Sequence, residues 1–198
     1  MDTASDKLLN FVRSHRLIRP RDLSLLGIPR VTLTRAVRAG QIQRFGRGLY
    51  GLSRPVSEHS TLAEVACRVP KGVICLLSAL RFHNLTTAAP FEVWIAVSVK
   101  SAAPKLEYPP LRVIRFSGSA LTEGIEELLI DGVAIRVTSV AKTVADCFKF
   151  RNKIGLDVAL EALREAWGGK RMTSEDIWRY AKICRVANVM RPYLENLS

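Results

Sequence analysis

The sequence predicts an α+β protein: an N-terminal winged helix-turn-helix domain over residues 1–54, then a larger mixed α/β domain over residues 55–198 with a small sheet and a C-terminal helical bundle. Three observations predict this. Val31–Leu52, VTLTRAVRAGQIQRFGRGLYGL, has the pattern of a short amphipathic helix, a glycine stop and a tight hairpin with an Arg at its tip. Positive charge collects at the same end. Residues 1–52 hold ten Lys/Arg (Lys7, Arg13, Arg16, Arg19, Arg21, Arg30, Arg35, Arg38, Arg44, Arg47) against three acids (Asp2, Asp6, Asp22), a balance of +7 in a chain of net charge +12. Downstream, alternating strand patterns give way to helical periodicity that runs to the C-terminus.

The N-terminal elements follow in order. Leu8, Phe11 and Val12 fall at helical spacing in Asp6–Ser14, with Ser5 or Asp6 placed to cap. Pro20 opens a second short helix that continues over Arg21–Leu26, and Gly27-Ile28-Pro29 is a turn. Arg30–Ala39 is the third helix, stopped by Gly40. Gln41–Phe45 and Leu49–Leu52 read as strands, with Gly46 and Gly48 letting the backbone turn tightly around Arg47. Ser53-Arg54-Pro55 marks the domain boundary.

In the larger domain Glu58–Val69 is helical and Val73–Asn84 is a mostly apolar, buried helix. Phe91–Val99, Leu111–Phe116, Ile125–Ile130 and Val133–Val137 are strands, the last two joined by Asp131-Gly132, the strongest hairpin signal in the chain. Thr138 or Ser139 caps a helix over Val140–Phe150. Leu156–Trp167 is the next helix, stopped by Gly168-Gly169, and Thr173 with Asp176 opens another. A last helix spans Asn188–Leu197, with Pro192 expected near its start or at a kink.

On a helical wheel of the third helix, Leu33, Ala36 and Val37 share one side and face a core. The opposite face carries Val31, Arg35 and Arg38, with Thr32 and Thr34 at its flanks. Those residue types read base edges: Arg donates in a fork to the O6 and N7 of guanine, and Thr and Val touch thymine. Arg30, at the helix start, falls where helix N-termini meet phosphate. Arg47 projects from the hairpin tip toward a minor groove or the flanking backbone, with Arg44 on the adjoining strand. The expected DNA-contacting set is therefore Arg30, Val31, Thr32, Thr34, Arg35, Arg38, Arg44 and Arg47.

Other chemistries find little support. At 48% hydrophobic and 24% charged residues the chain is a folded globular protein. No apolar run reaches the ~18 residues of a membrane span. The start, MDTASDKLLN, has no cationic segment before an apolar one, so a cytoplasmic location away from membranes is expected. Cys67, Cys75, Cys147 and Cys184 lack metal-site spacing and read as reduced core residues. His15, His59 and His83 stand in unrelated contexts, and His83 reads as a satisfied core or boundary residue. HExxH, GxxxxGKS, GxGxxG and GxSxG are all absent, and Glu126-Glu127 lies on a strand whose neighbours face opposite ways. A nuclease would need carboxylates clustered around a metal. The sequence thus reads as no enzyme, with no cofactor and no metal. Lys142 and Asp146, one helical turn apart, read as a surface ion pair. Lys142, Lys149, Arg151, Lys153 and Lys170-Arg171 are either solvated helix ends or a second surface for an anionic partner.

A basic start ending in GRGLYGL, followed by SALRFHNLT, TSVAKTVADCFKFRNKIG and GLDVALEALREA, resembles the AbiEi-type antitoxin and transcriptional regulator proteins of bacterial type IV toxin–antitoxin systems. The resemblance runs from about Lys7 to about Leu197. It implies a winged-helix domain that binds double-stranded DNA at repeats in its own promoter and represses it. It also implies a C-terminal domain that counters a nucleotidyltransferase-like toxin without a stable complex. The family's DNA-contacting cations carry over onto Arg35, Arg38 and Arg47, with Arg30 and Arg44 beside them. One module reads few base pairs, so two copies are expected on a repeat, as a dimer or as cooperative monomers. The alternatives are a protein-interaction module with an incidental basic N-terminus, or a regulator with no toxin partner.

Overall fold

The computed structural model describes residues 3–15, 17–52 and 58–196. It is an α+β fold with two sheets. The chain divides into two compact units, Met1–Pro70 with Leu129–Ile135, and Lys71–Leu128 with Arg136–Ser198. The boundary expected at Ser53-Arg54-Pro55 lies outside the described residues.

The first unit runs α1 (Ala4–His15), β1 (Leu17–Ile18), α2 (Pro20–Leu25), α3 (Arg30–Arg38), β2 (Ile42–Gly46), β3 (Leu49–Leu52) and α4 (Ser60–Arg68). The helices form because each has a stripe to bury. Leu8 and Val12 of α1, Leu23 of α2, Ile28 of the turn, Leu33 and Ala36 of α3, and Ile18 and Ile42 of the strands make one core. The cap of α1 is Thr3: its backbone N–H donates to Asp6 Oδ2 at 3.0 Å, and Asp6 N–H donates to Thr3 Oγ1 at 3.2 Å. Asp22 does the same for α2, accepting from Arg19 N–H at 2.7 Å. Sequence periodicity is blind to β1, two residues long. It pairs antiparallel with β3, Leu17 opposite Gly51, and completes a sheet of order β1-β3-β2.

The stretch after Pro70 runs β4 (Val73–Ile74), α5 (Leu76–Phe82), β5 (Val93–Ser98), β6 (Leu111–Phe116), α6 (Ser119–Thr122), β7 (Ile125–Ile130), β8 (Val133–Thr138), α7 (Val140–Lys149), α8 (Arg151–Ile154), α9 (Leu156–Gly168), α10 (Ser174–Ile183) and α11 (Ala187–Glu195); its residues Leu129–Ile135, from the end of β7 into β8, group with the first unit and the rest form the second. Its sheet has the order β6-β5-β4-β8-β7 and is mixed: β4 lies antiparallel to β5 and parallel to β8. The segment expected as one helix over Val73–Asn84 is therefore split. Val73 and Ile74 are β-branched and pair between two neighbours, and Leu76, at φ 48, turns the chain into α5. Asp131 (φ 51) and Gly132 (φ 75) both take positive φ, as a tight β7–β8 hairpin turn requires. Thr173 and Asp176 form the expected capping box.

Helices α2, α3, α5, α9 and α10 close with one device, a left-handed residue whose N–H and whose successor's N–H bond back to the last turn. Glycine fills that position after α2 (Gly27) and α3 (Gly40), Asn84 after α5, but Lys170 after α9 and Arg185 after α10. Helix α9 ends at Gly168-Gly169 as expected, although Gly169 is right-handed at φ −76 and the left-handed position falls one residue later. Pro192 stands inside α11 rather than at its start.

Helix α7 is enclosed, and this overturns one expectation. Ala141 through Phe148 are all buried, because α5, α9 and α10 pack around the helix. Lys142 and Asp146 are accordingly no surface pair: both side chains are 0% exposed, with Nζ 2.5 Å from Oδ2. The ammonium also lies 4.7 Å from the Phe116 ring centroid, and Cys184 Sγ–H donates to Asp146 Oδ1 at 3.1 Å. Burial pushes the Asp146 carboxyl up, against the pull of Lys142. A second polar knot ties α5, β8 and α7 together. His83 Nε2–H donates to Thr138 O at 2.7 Å, as the core residue it was expected to be, and Thr143 Oγ1–H donates to the same carbonyl at 3.0 Å.

Two predictions follow from these knots. Lys142→Met strands a buried carboxylate and should cost about 3–5 kcal/mol in urea unfolding, while Lys142→Met with Asp146→Leu should recover most of the loss. Equal instability of the single and double variants would contradict the buried pair. Burial also lowers the His83 pKa from its ordinary 6.5. Below that pH the unfolded chain binds the proton more readily, so His83 should make stability fall on acidification, by at most ~1.4 kcal/mol per pH unit. Asp146, shifted upward, acts in the opposite sense. The difference between wild type and His83→Gln, whose amide can still donate to Thr138 O, isolates the histidine, and a pH-independent difference would refute it.

Candidate nucleic-acid interface

The first unit presents its cations through the way α3 is seated. Pro29 sets the helix entry, with Thr32 N–H donating to its carbonyl at 3.0 Å. Leu33 and Ala36 enter the core and Val37 is half-buried, which is the side the wheel assigns. Arg30, Val31, Thr34, Arg35 and Arg38 are exposed, Val31 by 52% despite its apolar side chain. Thr32 departs from expectation. It is only 8% exposed, since its flank of the helix turns into the core, and its side chain is withdrawn from any base-reading face. The Thr34 hydroxyl donates back to Arg30 O at 3.3 Å.

The β2–β3 hairpin carries the other two cations. Arg44 pairs opposite Tyr50 and Gly46 opposite Leu49, so Phe45 is an extra residue that bulges the strand. Arg44 is exposed and its Nε–H donates to Gly46 O at 3.1 Å, which holds the guanidinium along the hairpin. Arg47 is exposed at the tip. Gly48 alone supplies the positive φ of the turn, at 71°. Gly46 serves a different purpose: a Cβ there would collide with the Arg68 guanidinium and the Glu64 carboxylate of α4. These two form a 2.7 Å ion pair laid against the strand, and burial raises the Glu64 pKa while Arg68 lowers it.

The electrostatic consequence is a cationic face without counterions. Asp6 is exposed and held by Thr3, whose hydrogen bonds lower its pKa. Asp22 is spent on the Arg19 cap and lies 3.7 Å from Arg21 Nε. Among the described residues no acid forms an ion pair with Arg30, Arg35, Arg38, Arg44 or Arg47. Leu25 and Leu26 in front of α3 are 89% and 46% exposed. Sequence periodicity does not single them out, because leucines closing a short helix look like core. No His/Cys/Asp/Glu grouping among the described residues could hold a metal ion, and no described helix is long and apolar enough to cross a membrane.

Residues 6–53 match the family model described as transcriptional regulator, AbiEi antitoxin. The matched segment runs from α1 through the hairpin and includes GRGLYGL; the SALRFHNLT, TSVAKTVADCFKFRNKIG and GLDVALEALREA motifs lie outside it. No curated protein matches the chain.

Proposed function

We propose that a chain opening with an AbiEi-type regulator segment is a sequence-specific DNA-binding repressor of its own promoter and the antitoxin of a type IV toxin–antitoxin pair. In this reading the first unit is a winged helix-turn-helix. Helix α2 and the Gly27 turn brace α3, and α3 enters the major groove with Val31, Thr34, Arg35 and Arg38 toward base edges. The β2–β3 hairpin is the wing, and Arg47 contacts the flanking minor groove or backbone. Arg30 and Arg44 hold register through phosphates. The observation that carries the reading is the one-sidedness of α3: Leu33 and Ala36 fill the core, while among the described residues no acid pairs with its exposed Arg30, Arg35 and Arg38.

Two modules bound to a promoter repeat, as a dimer or as cooperative monomers, supply the specificity that one lacks. The second unit is assigned the antitoxic role against a nucleotidyltransferase-like toxin, acting without a stable complex. The family match over residues 6–53 supports regulator and antitoxin in general. No reaction is assigned to either unit.

Arg35→Ala and Arg38→Ala should each weaken binding to the upstream promoter fragment by about 1–3 kcal/mol in gel shifts, roughly 5- to 150-fold. Neither side chain supports the core, so melting temperatures should stay at the wild-type value. Unchanged affinity in both variants would remove α3 from the interface.

A further inference from the structure

The second unit holds a cavity of about 710 Å³ whose polar wall is formed by Lys149, Arg151, Arg185, Ser117 and Ser119. The three cations come from separate elements: the last turn of α7, the start of α8 and the α10–α11 junction. No Asp or Glu lines the cavity. Arg151 is fixed in place, its Nη1–H donating to Phe148 O at 2.9 Å, which leaves the rest of its donor fork unused by that bond. Lys149 is exposed at the rim.

Cations near helix ends often serve only the helix, but that account is insufficient for Arg185. The last carbonyls of α10 are already satisfied by backbone donors, Arg185 N–H to Lys182 O at 3.0 Å and Val186 N–H to Ala181 O at 2.8 Å. The guanidinium is therefore not required as a cap. Its φ of 59 is that of the position closing α10, which sets the backbone from which the guanidinium extends. Gly118, also in the wall, takes φ 53 and ψ −144, a backbone conformation that favours glycine, between Ser117 and Ser119.

The remaining wall is apolar, from Ile183, Val186 and Val189. Cys184, also in the wall, is not a nucleophile: its Sγ–H is bonded to Asp146, and burial pushes the thiol up to about 12. The chemistry is that of binding. The volume falls within the ~300–1,000 Å³ range of small-molecule sites and far exceeds one phosphate. We propose that this cavity binds a phosphorylated small molecule of nucleotide size, its phosphates on Lys149, Arg151 and Arg185 and its less polar body against Val186 and Val189. The site is independent of the DNA reading of the first unit.

Calorimetric titration of the full chain with ATP, pyrophosphate and adenosine tests this. Saturable binding of ATP and pyrophosphate, with none for adenosine, is expected. Arg185→Gly suits the left-handed backbone and should keep the fold while weakening ATP at least 10-fold. Lys149→Gln, at an exposed position, should weaken it several-fold. Arg35→Ala should leave ATP binding unchanged, because its charge lies in the other unit. The proposal is overturned by ATP affinity unchanged in folded Arg185→Gly and Lys149→Gln, by an equal loss in Arg35→Ala, or by the absence of saturable binding. It is equally overturned if a DNA duplex, but not ATP, perturbs the Gly118 and Val186 amide resonances.

Discussion

The burial of Leu33 and Ala36 is the constraint on which the candidate interface depends. A nine-residue helix has little stability of its own, so its rotation about its axis is set by what it can bury. Leu33 alone gains about 1.5–3 kcal/mol by entering the core beside Leu8, Val12 and Leu23. No exposed Arg can compete with that. Rotating α3 by one residue position would drive a guanidinium into the core and expose the leucine. The roll that satisfies the core is therefore the roll that turns Arg35 and Arg38 outward. Asp6 and Asp22 are tied to helix starts and Glu64 to Arg68, so none of these three pairs with the α3 cations.

The second unit is organised by polar groups inside its core. Helix α7 has no solvent face along Ala141–Phe148, yet its sequence carries Lys142, Thr143 and Asp146 there. Each finds a partner: Lys142 pairs with Asp146, and Thr143 shares the Thr138 carbonyl with His83. Such bonds add little net stability over an apolar core, but they demand one alignment of α5, α7, α10 and β8. Asp146 also reaches Cys184, which forms part of the cationic cavity's wall. The buried pair thereby fixes the junction from which Arg185 projects.

Much of this was legible in the sequence where local and tertiary demands agree. The α3 wheel, the Arg47-Gly48 turn, the Asp131-Gly132 hairpin and the Thr173–Asp176 box all depend on residues close in sequence. What escaped depends on distant neighbours. Thr32 looked like a flank residue because a wheel has no knowledge of how far the core wraps round a helix. Gly46 looked like a turn residue, whereas α4, some twenty positions on, needs the space above it. Val73-Ile74 looked helical because a two-residue strand has no period. Lys142 and Asp146 looked wet because their spacing is the same on a surface helix as on an enclosed one. Lys170 holds the left-handed position beside a glycine pair, and nothing local marks Arg185 as the residue that takes it after α10.

In the proposed function, a cationic face on the first unit engages the DNA backbone and reads bases beside it. The most direct measurement is the salt dependence of full-chain binding to the DNA upstream of its own gene. Several phosphates neutralised by Arg30, Arg44, Arg47 and their neighbours should make log K fall linearly with log salt, by about 0.9 per phosphate, with the promoter fragment bound more tightly than unrelated duplex at every salt concentration. A flat dependence, or equal affinity for promoter and unrelated DNA throughout, would contradict it.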